Sequence, residues 1–342
     1  MKSKLLKIVS LIMAVLMIAA SLAGCKSGYK DSASTSSAAF IEETAKPVNV
    51  AVLKGPTALG MLKLMSDDKN DFSFNDYSFE VFTAADQVVP ELVKGNIDIA
   101  AVPTNLAATL YKKTEKGVSV IAVNTLGVLS IVTTGVEISS ISDLKGKTIY
   151  ATGKGATPEY ALNYILEKNG LKVGEDVKIE YKSEHSELAT AVIAGEVKIA
   201  MLPQPFVTNV MMQNDKVKIA LDLSDEWAKI SETDGGELVM GCIVVRKEFL
   251  KENEEAVKTF LNEYSHSTLY ANEKPDKTGE LSDEFAILPS QVVSRAIPSC
   301  NIVFIRGEDM KSKVSAYLKT LLDANPASIG GQLPDDEFYY VG

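Results

Sequence analysis

Residues 95–103 read GNIDIAAVP and residues 195–203 read GEVKIAMLP, two segments that lie 100 positions apart. Each begins with a glycine suited to closing a helix and continues as a short apolar run ended by proline, the pattern of a buried strand. The match extends outward without a gap. Lys54-Gly55-Pro56-Thr57 falls on Lys154-Gly155-Ala156-Thr157, Phe79-Glu80-Val81 falls on Ile179-Glu180-Tyr181, and Thr83 falls on Ser183. Three strand–loop–helix units in one register imply two lobes of similar build.

Around these anchors β-rich runs alternate with helical patterns. VNVAVL, SFEVFT and IDIAAV occupy the first half, and KTIYAT, VKIEYK and VKIAML the second, each followed by a helix-period stretch. Such alternation predicts an α/β fold of two similar βαβ lobes, each with a largely parallel sheet. Ligands of open α/β sheets sit at the carboxyl ends of the strands, so two lobes presenting those ends to one another enclose a cleft. The lysine–glycine loops at 54–57 and 154–157 follow strands, yet match neither G-x-x-x-x-G-K-[ST] nor G-x-G-x-x-G. In the second copy Thr157 reads as an N-cap, with Pro158 at the first helical position, Glu159 favouring the dipole and Asn169-Gly170 closing the helix. A helix start of this kind offers free N–H groups to an acceptor oxygen, as a clamp rather than a nucleotide cradle.

The N-terminal segment sets the compartment. Lys2, Lys4 and Lys7 precede an uncharged apolar run from Ile8 to Gly24, the form of an export signal (residues 1–24). Leu22-Ala23-Gly24-Cys25 resembles a bacterial lipobox, which implies lipidation of Cys25 and a protein tethered outside the cell membrane. Residues 25–47, rich in Ser, Ala, Thr and charge, read as a flexible tether. Removing the leader's lysines takes the formal charge from −10 to −13, which argues against nucleic acid as a partner. Only Arg246, Arg295 and Arg306 are present, too few for an arginine cluster around a polyanion. Two histidines and no CxxC leave no legible metal site, and no cofactor is expected. Cys242 and Cys300 lie in apolar, strand-like contexts, and the sequence leaves open a disulfide between them or two buried thiols.

Taken together, the lipobox, NVAVLKGPTALG, GNIDIAAVPTNLA, DLKGKTIYATGKGATPEYAL and GEVKIAMLPQPFVTNVM resemble ABC-transporter substrate-binding lipoproteins of the nitrate/sulfonate/taurine type, with the periplasmic-binding-protein type II fold. The resemblance implies a discontinuous lobe 1, residues 48–126 plus 241–342, and a lobe 2 of residues 127–240, joined by two crossover segments near NTLGVL and LVMGCIVV. It also implies a small-molecule ligand, an ABC permease as partner, and a monomer. Expected ligand contacts are Lys54, Gly55, Thr57, Gln87, Thr104 and Asn105 from lobe 1. Lobe 2 contributes Thr152, Lys154, Gly155, Thr157, Tyr160, His185 and Gln204, and Thr125 and Met240 sit at the crossovers. Trp227, Tyr339 and Tyr340 read as packing residues, and LPDDEFYYVG as a tail docked on lobe 1. Two rivals share the fold: an enzyme of the menaquinone or thiamine-pyrimidine type, and an extracytoplasmic sensor. Against catalysis stand the lipobox and the absence of a nucleophile elbow beside Ser186.

Overall fold

The computed structural model describes residues 45–230 and 237–342, and Ala45–Gly342 forms one compact unit. The leader, Cys25 and the tether up to Thr44 lie outside the described residues.

The chain opens with strand β1 (Pro47–Leu53), the short helix α1 (Pro56–Leu59) and α2 (Leu62–Lys69). Then come β2 (Asp76–Phe82), α3 (Ala85–Lys94), β3 (Ile99–Pro103), α4 (Thr104–Lys113) and β4 (Val118–Thr125). A second series follows: β5 (Leu129–Thr134), β6 (Thr148–Ala151), α5 (Thr157–Lys168), β7 (Lys178–Tyr181), α6 (His185–Ile193), β8 (Ile199–Pro203), α7 (Phe206–Gln213), β9 (Val217–Asp222) and α8 (Leu223–Ile230). The last part holds β10 (Gly241–Arg246), α9 (Lys247–Glu252), α10 (Glu254–Glu273), α11 (Pro275–Glu284), α12 (Ser290–Ala296), β11 (Ile302–Ile305) and α13 (Gly307–Ala324).

These strands form two sheets, ordered β2-β1-β3-β10-β4-β11 and β7-β6-β8-β5-β9. The 100-residue offset survives in three dimensions. In both sheets three parallel strands are followed by one antiparallel strand, β10 or β5, and then by β4 or β9. Even the glycines that close α3 and α6 correspond, Gly95 with φ 80° and Gly195 with φ 76°, values that a side-chain-bearing residue rarely adopts.

Connectivity aims the two sheets at one another. β4 ends at Thr125 and β5 begins at Leu129. Four peptide steps span at most about 14 Å, so the carboxyl edge of the first sheet must face that of the second. The return path enters β10 at Gly241, which pairs with both Pro103 and Thr125 at the same edge. The two crossovers are hydrogen-bonded to each other, Met240 N–H donating to the Thr125 carbonyl (3.0 Å), and the first is also tied to the end of β8, Gln204 N–H donating to the Val128 carbonyl (2.9 Å). One apolar cluster runs from the first sheet (Ala51, Val102, Val244) through Val128, Leu238 and Met240 to Trp227 and Tyr317.

The tail docks as expected. Phe338 is fully buried, Tyr340 N–H donates to the Val120 carbonyl (2.9 Å), and Lys116 pairs with Asp335 (2.5 Å). The disulfide between Cys242 and Cys300 is not made; both thiols are free and buried. Alternation along β10 explains this. Cys242 and Val244 face one apolar cluster, whereas Ile243 and Val245 face the other, where Cys300 lies, so the sheet stands between the two sulfurs. Burial pushes both thiols up to about 12.

Two outcomes test this architecture. A Cβ on Gly241 would stand 2.6 Å from Asn124 Oδ1 and 3.1 Å from Thr57 Cγ2, so Gly241→Ala should cost about 1–3 kcal/mol in chemical denaturation. An unchanged midpoint would show that the crossover has room to spare. Thermal midpoints with and without reductant should coincide; a reductant-dependent midpoint would restore the disulfide.

Candidate ligand-binding site

Where the two carboxyl edges converge lies a cleft of about 830 Å³. Its floor is apolar, made by Leu53, Val89, Pro103, Leu106, Val128, Leu129, Pro203 and Met240. The N-terminal ends of four helices reach its wall, through Pro56 and Thr57 (α1), Ala85 and Asp86 (α3), Ala156 and Pro158 (α5) and His185 (α6). Each brings first-turn N–H groups and the positive end of a peptide dipole.

The charged residues of the wall are Lys54, Lys113, Lys154 and Lys182 against Asp86 and Glu184, an excess of cations on a chain with formal charge −10. Lys182 pairs with Glu187 at 3.1 Å. Lys154 lies over the Tyr181 ring, 6.0 Å from its centroid. Among the described residues Lys54, Lys113 and Lys154 have no carboxylate partner. The Thr125 hydroxyl is buried beside the cleft and has no hydrogen-bond partner among the described residues.

His185 sits half-buried on this wall. Its Nδ1 lies 2.6 Å from Thr152 Oγ1 and its ring 5.1 Å from that of Phe206. Desolvation lowers its pKa to about 4, so the imidazole is neutral at pH 7. When the Thr152 hydroxyl donates to Nδ1, Nε2 carries the proton and serves as a donor; the other tautomer makes Nε2 an acceptor.

Nine of the residues expected from the sequence line the cleft together: Lys54, Thr57, Gln87, Thr125, Thr152, Lys154, Gly155, His185 and Met240. Gln87 is committed elsewhere, since its Oε1 accepts from Thr83 N–H, Ala84 N–H and the Thr83 hydroxyl. Its counterpart at the 100-residue offset, Glu187, accepts from Ser183 N–H in the same way (3.2 Å). Both are loop fasteners.

The other six stand apart from the lining. Gly55 is buried beneath Lys54, with a φ of 140° that favours glycine. Thr104 is buried behind the floor, and its N–H donates to the Met240 carbonyl (3.2 Å). Gln204 is also buried, its Oε1 accepting from the Thr208 hydroxyl (2.8 Å) and N–H (3.2 Å). Tyr160 is half-buried outside the lining.

Asn105 and Thr157 hold the structure together instead of facing a ligand. Asn105 Nδ2 donates to the carbonyls of Gly155 (3.3 Å) and Ser328 (3.2 Å), and its Oδ1 accepts from the Thr157 hydroxyl (3.1 Å). Thr157 therefore does not cap α5; the N-cap position falls on Ala156 and no side chain caps it. The amide of Asn105 links a helix of the first sheet's half to the lysine–glycine loop of the second.

Sequence reasoning missed Lys113, Lys182, Asp86 and Glu184. Asp86 and Glu184 look like ordinary helix-start acids. Lys113 is the last residue of α4, where a lysine is the expected dipole partner, so nothing local marks it as cleft-facing.

A family model described as ABC transporter, phosphonate, periplasmic substrate-binding protein matches residues 71–285, well over half of the chain. No curated protein sequence matches. Among solved structures, an ABC transporter protein from Parabacteroides distasonis superposes with a TM-score of 0.71 at 23% identity, covering 86% of this chain and 99% of its own. The periplasmic aliphatic sulphonate binding protein SsuA from Escherichia coli gives a TM-score of 0.66 at 16% identity, covering 85% and 93%. The periplasmic nitrate-binding protein NrtA from Synechocystis PCC 6803 gives 0.62 at 13% identity, covering 84% of each chain. The fold is that of these proteins, the periplasmic-binding-protein type II architecture.

Asn105→Ala removes three hydrogen bonds and leaves the Thr157 hydroxyl buried, so it should lower unfolding free energy by about 1–3 kcal/mol in a urea titration. Equal midpoints for variant and parent would deny Asn105 its linking role. For His185, the pKa is about 4 when folded against an ordinary 6.5, so between those values the unfolded chain binds the extra proton. Stability from this residue is full above about pH 6.5 and declines as pH falls toward 4. Parent and His185→Gln should thus diverge across that window in thermal melts, with the parent losing more; parallel curves would contradict the assignment.

Proposed function

Because the chain belongs to the ABC-transporter periplasmic substrate-binding family, we propose that its cleft captures a small organic anion and releases it to an ABC permease. The observation that carries this reading is the wall itself. Cationic side chains unpaired among the described residues come from both sides (Lys54 and Lys113; Lys154), over an apolar floor and beside a buried, unpartnered Thr125 hydroxyl. A cleft of this volume falls within the roughly 300–1,000 Å³ range of organic-ligand sites. A four-atom ion such as nitrate would leave most of the floor uncovered. Phosphonates and sulfonates, the classes named for the family model and for SsuA, combine an anionic head with an organic body and suit both parts.

In this account the lobes are residues 48–126 plus 241–342 and residues 127–240, and the paired crossovers are the hinge. Ligand bridging the two walls favours the closed arrangement through its differential affinity for it. Cys25 carries the lipid that holds the chain at the extracytoplasmic face of the membrane. The protein acts as a monomer and binds its solute without converting it, so that catalysis and stand-alone sensing are the readings it displaces.

A thermal-shift screen of phosphonates, sulfonates, nitrate and small carboxylates tests the proposal. A binder at about 100 times its Kd should add roughly 2.7 kcal/mol to the native state. The chain has one tryptophan, Trp227, packed 4.8 Å from Tyr164 and 5.4 Å from Tyr317 in α13, so the same binder should change its emission saturably. Lys154→Met and Thr125→Val should each weaken the response by about tenfold, the loss of one charged or buried hydrogen bond. Turnover of a cleft ligand, or a response indifferent to both substitutions, would count against it.

A further inference from the structure

Two phenylalanines stand in solvent at the margin of the first sheet, Phe72 at 76% exposure and Phe74 at 79%. Neither is on a loose segment. Asp71, with φ 60°, turns the chain, and its N–H donates to the Asp68 carbonyl (3.0 Å). Phe72 N–H donates to the Asp67 carbonyl (2.8 Å) and Phe74 N–H to the Glu263 carboxylate (2.7 Å). The Ser73 hydroxyl donates to Asp68 Oδ1 (2.8 Å) or to the Asn75 carbonyl (2.9 Å). The polar atoms of the turn are tied down and the rings are held outward, although the aromatic cluster of Tyr77, Phe79 and Phe260 lies close in the fold. Exposed apolar side chains fixed in this way mark a contact surface.

Position identifies what they contact. Asp76 N–H donates to the Lys46 carbonyl (2.9 Å), and Pro47 and Asp76 are register partners at the start of β1 and β2. The chain thus passes from its N-terminal segment into the fold beside this turn, two residues from Phe74. That segment carries Cys25, the lipobox cysteine, at the head of the 25–47 tether. The turn lies at the amino ends of the parallel strands and the cleft at their carboxyl ends, so contact here leaves the cleft clear.

We propose that the 71–75 turn is a membrane foot, with Phe72 and Phe74 seated in the interfacial layer of the bilayer that holds the N-terminal segment. The proposal rests on the membrane-anchored reading of that segment. Phenylalanine is among the residues that bury at the headgroup–acyl boundary, and a short tether keeps the turn at high local concentration near lipid. Asp71 and Asp76 are exposed on either side, and of the nearby lysines Lys63 pairs with Asp67 and Lys69 with Glu284, which leaves Lys46 against the two aspartates; the contact is therefore apolar in origin and favours zwitterionic over anionic headgroups.

The test uses the full lipid-bearing chain reconstituted in phosphatidylcholine vesicles. Phe74→Trp adds one reporter to the buried Trp227. The chain should float with the vesicles, and the added emission should shift to shorter wavelength and be quenched by brominated phosphatidylcholine. Replacing part of the lipid with phosphatidylglycerol should reduce both effects. In the unsubstituted chain, hydroxyl-radical labelling of Phe72 and Phe74 should fall on vesicles relative to Met211 and Ile219, exposed residues of the other sheet's half. A chain that floats while the added tryptophan emits as in water and Phe72 and Phe74 stay fully labelled would overturn the foot and leave the anchor standing. That result would point to a protein partner for the turn. A chain that does not float would overturn both.

Discussion

The cleft depends on two backbone segments that run side by side between the sheets. Thr125 to Leu129 carries the chain out of the first sheet, Met240 to Gly241 brings it back, and the hydrogen bond from Met240 N–H to the Thr125 carbonyl joins them. The shortness of the first forces the carboxyl edges of both sheets to face each other, and that arrangement places four helix starts around one volume. Gly241 can occupy this point because a side chain would meet Asn124 and Thr57. Loop conformation, lysine placement and the buried Thr125 hydroxyl follow from that constraint.

Much of this was legible in the sequence because the 100-residue offset is a statement about backbone. Strands pairing as β2-β1-β3 and β7-β6-β8 need buried runs of β-branched and small residues, and Ile99–Pro103 and Ile199–Pro203 display them plainly. Helix closures at Gly95 and Gly195 are legible for the same reason. Side-chain roles were harder to read. Thr157 has the sequence context of an N-cap, but its hydroxyl serves a partner distant in sequence, the side-chain oxygen of Asn105. Gln87 reads as a ligand contact, yet its side chain folds back onto its own loop, as Glu187 does at the 100-residue offset. Lys113 is unreadable locally because the same residue type satisfies a helix terminus and a ligand wall.

The cysteines show how sheet alternation decides a question that spacing could not. Cys242 and Cys300 are both buried, but on opposite sides of β10's sheet, so neither oxidation nor metal binding can bring them together without unfolding. The neutral imidazole of His185 is a comparable case. Its protonation follows from burial against Thr152 and Phe206, contacts 33 and 21 residues away in sequence. A neutral ring beside lysines offers a directional hydrogen bond without adding to their charge.

The central claim is that one ligand is held by both sheets' loops at once. Hydrogen–deuterium exchange of the chain, with and without a saturating alkylphosphonate or the strongest binder of the screen, tests it most directly. The account predicts simultaneous slowing in residues 54–57 and 83–87 on one side and 152–157 and 182–185 on the other, with the crossover segments slowed as well. Slowing confined to one side, or to a surface away from these four loops, would contradict it.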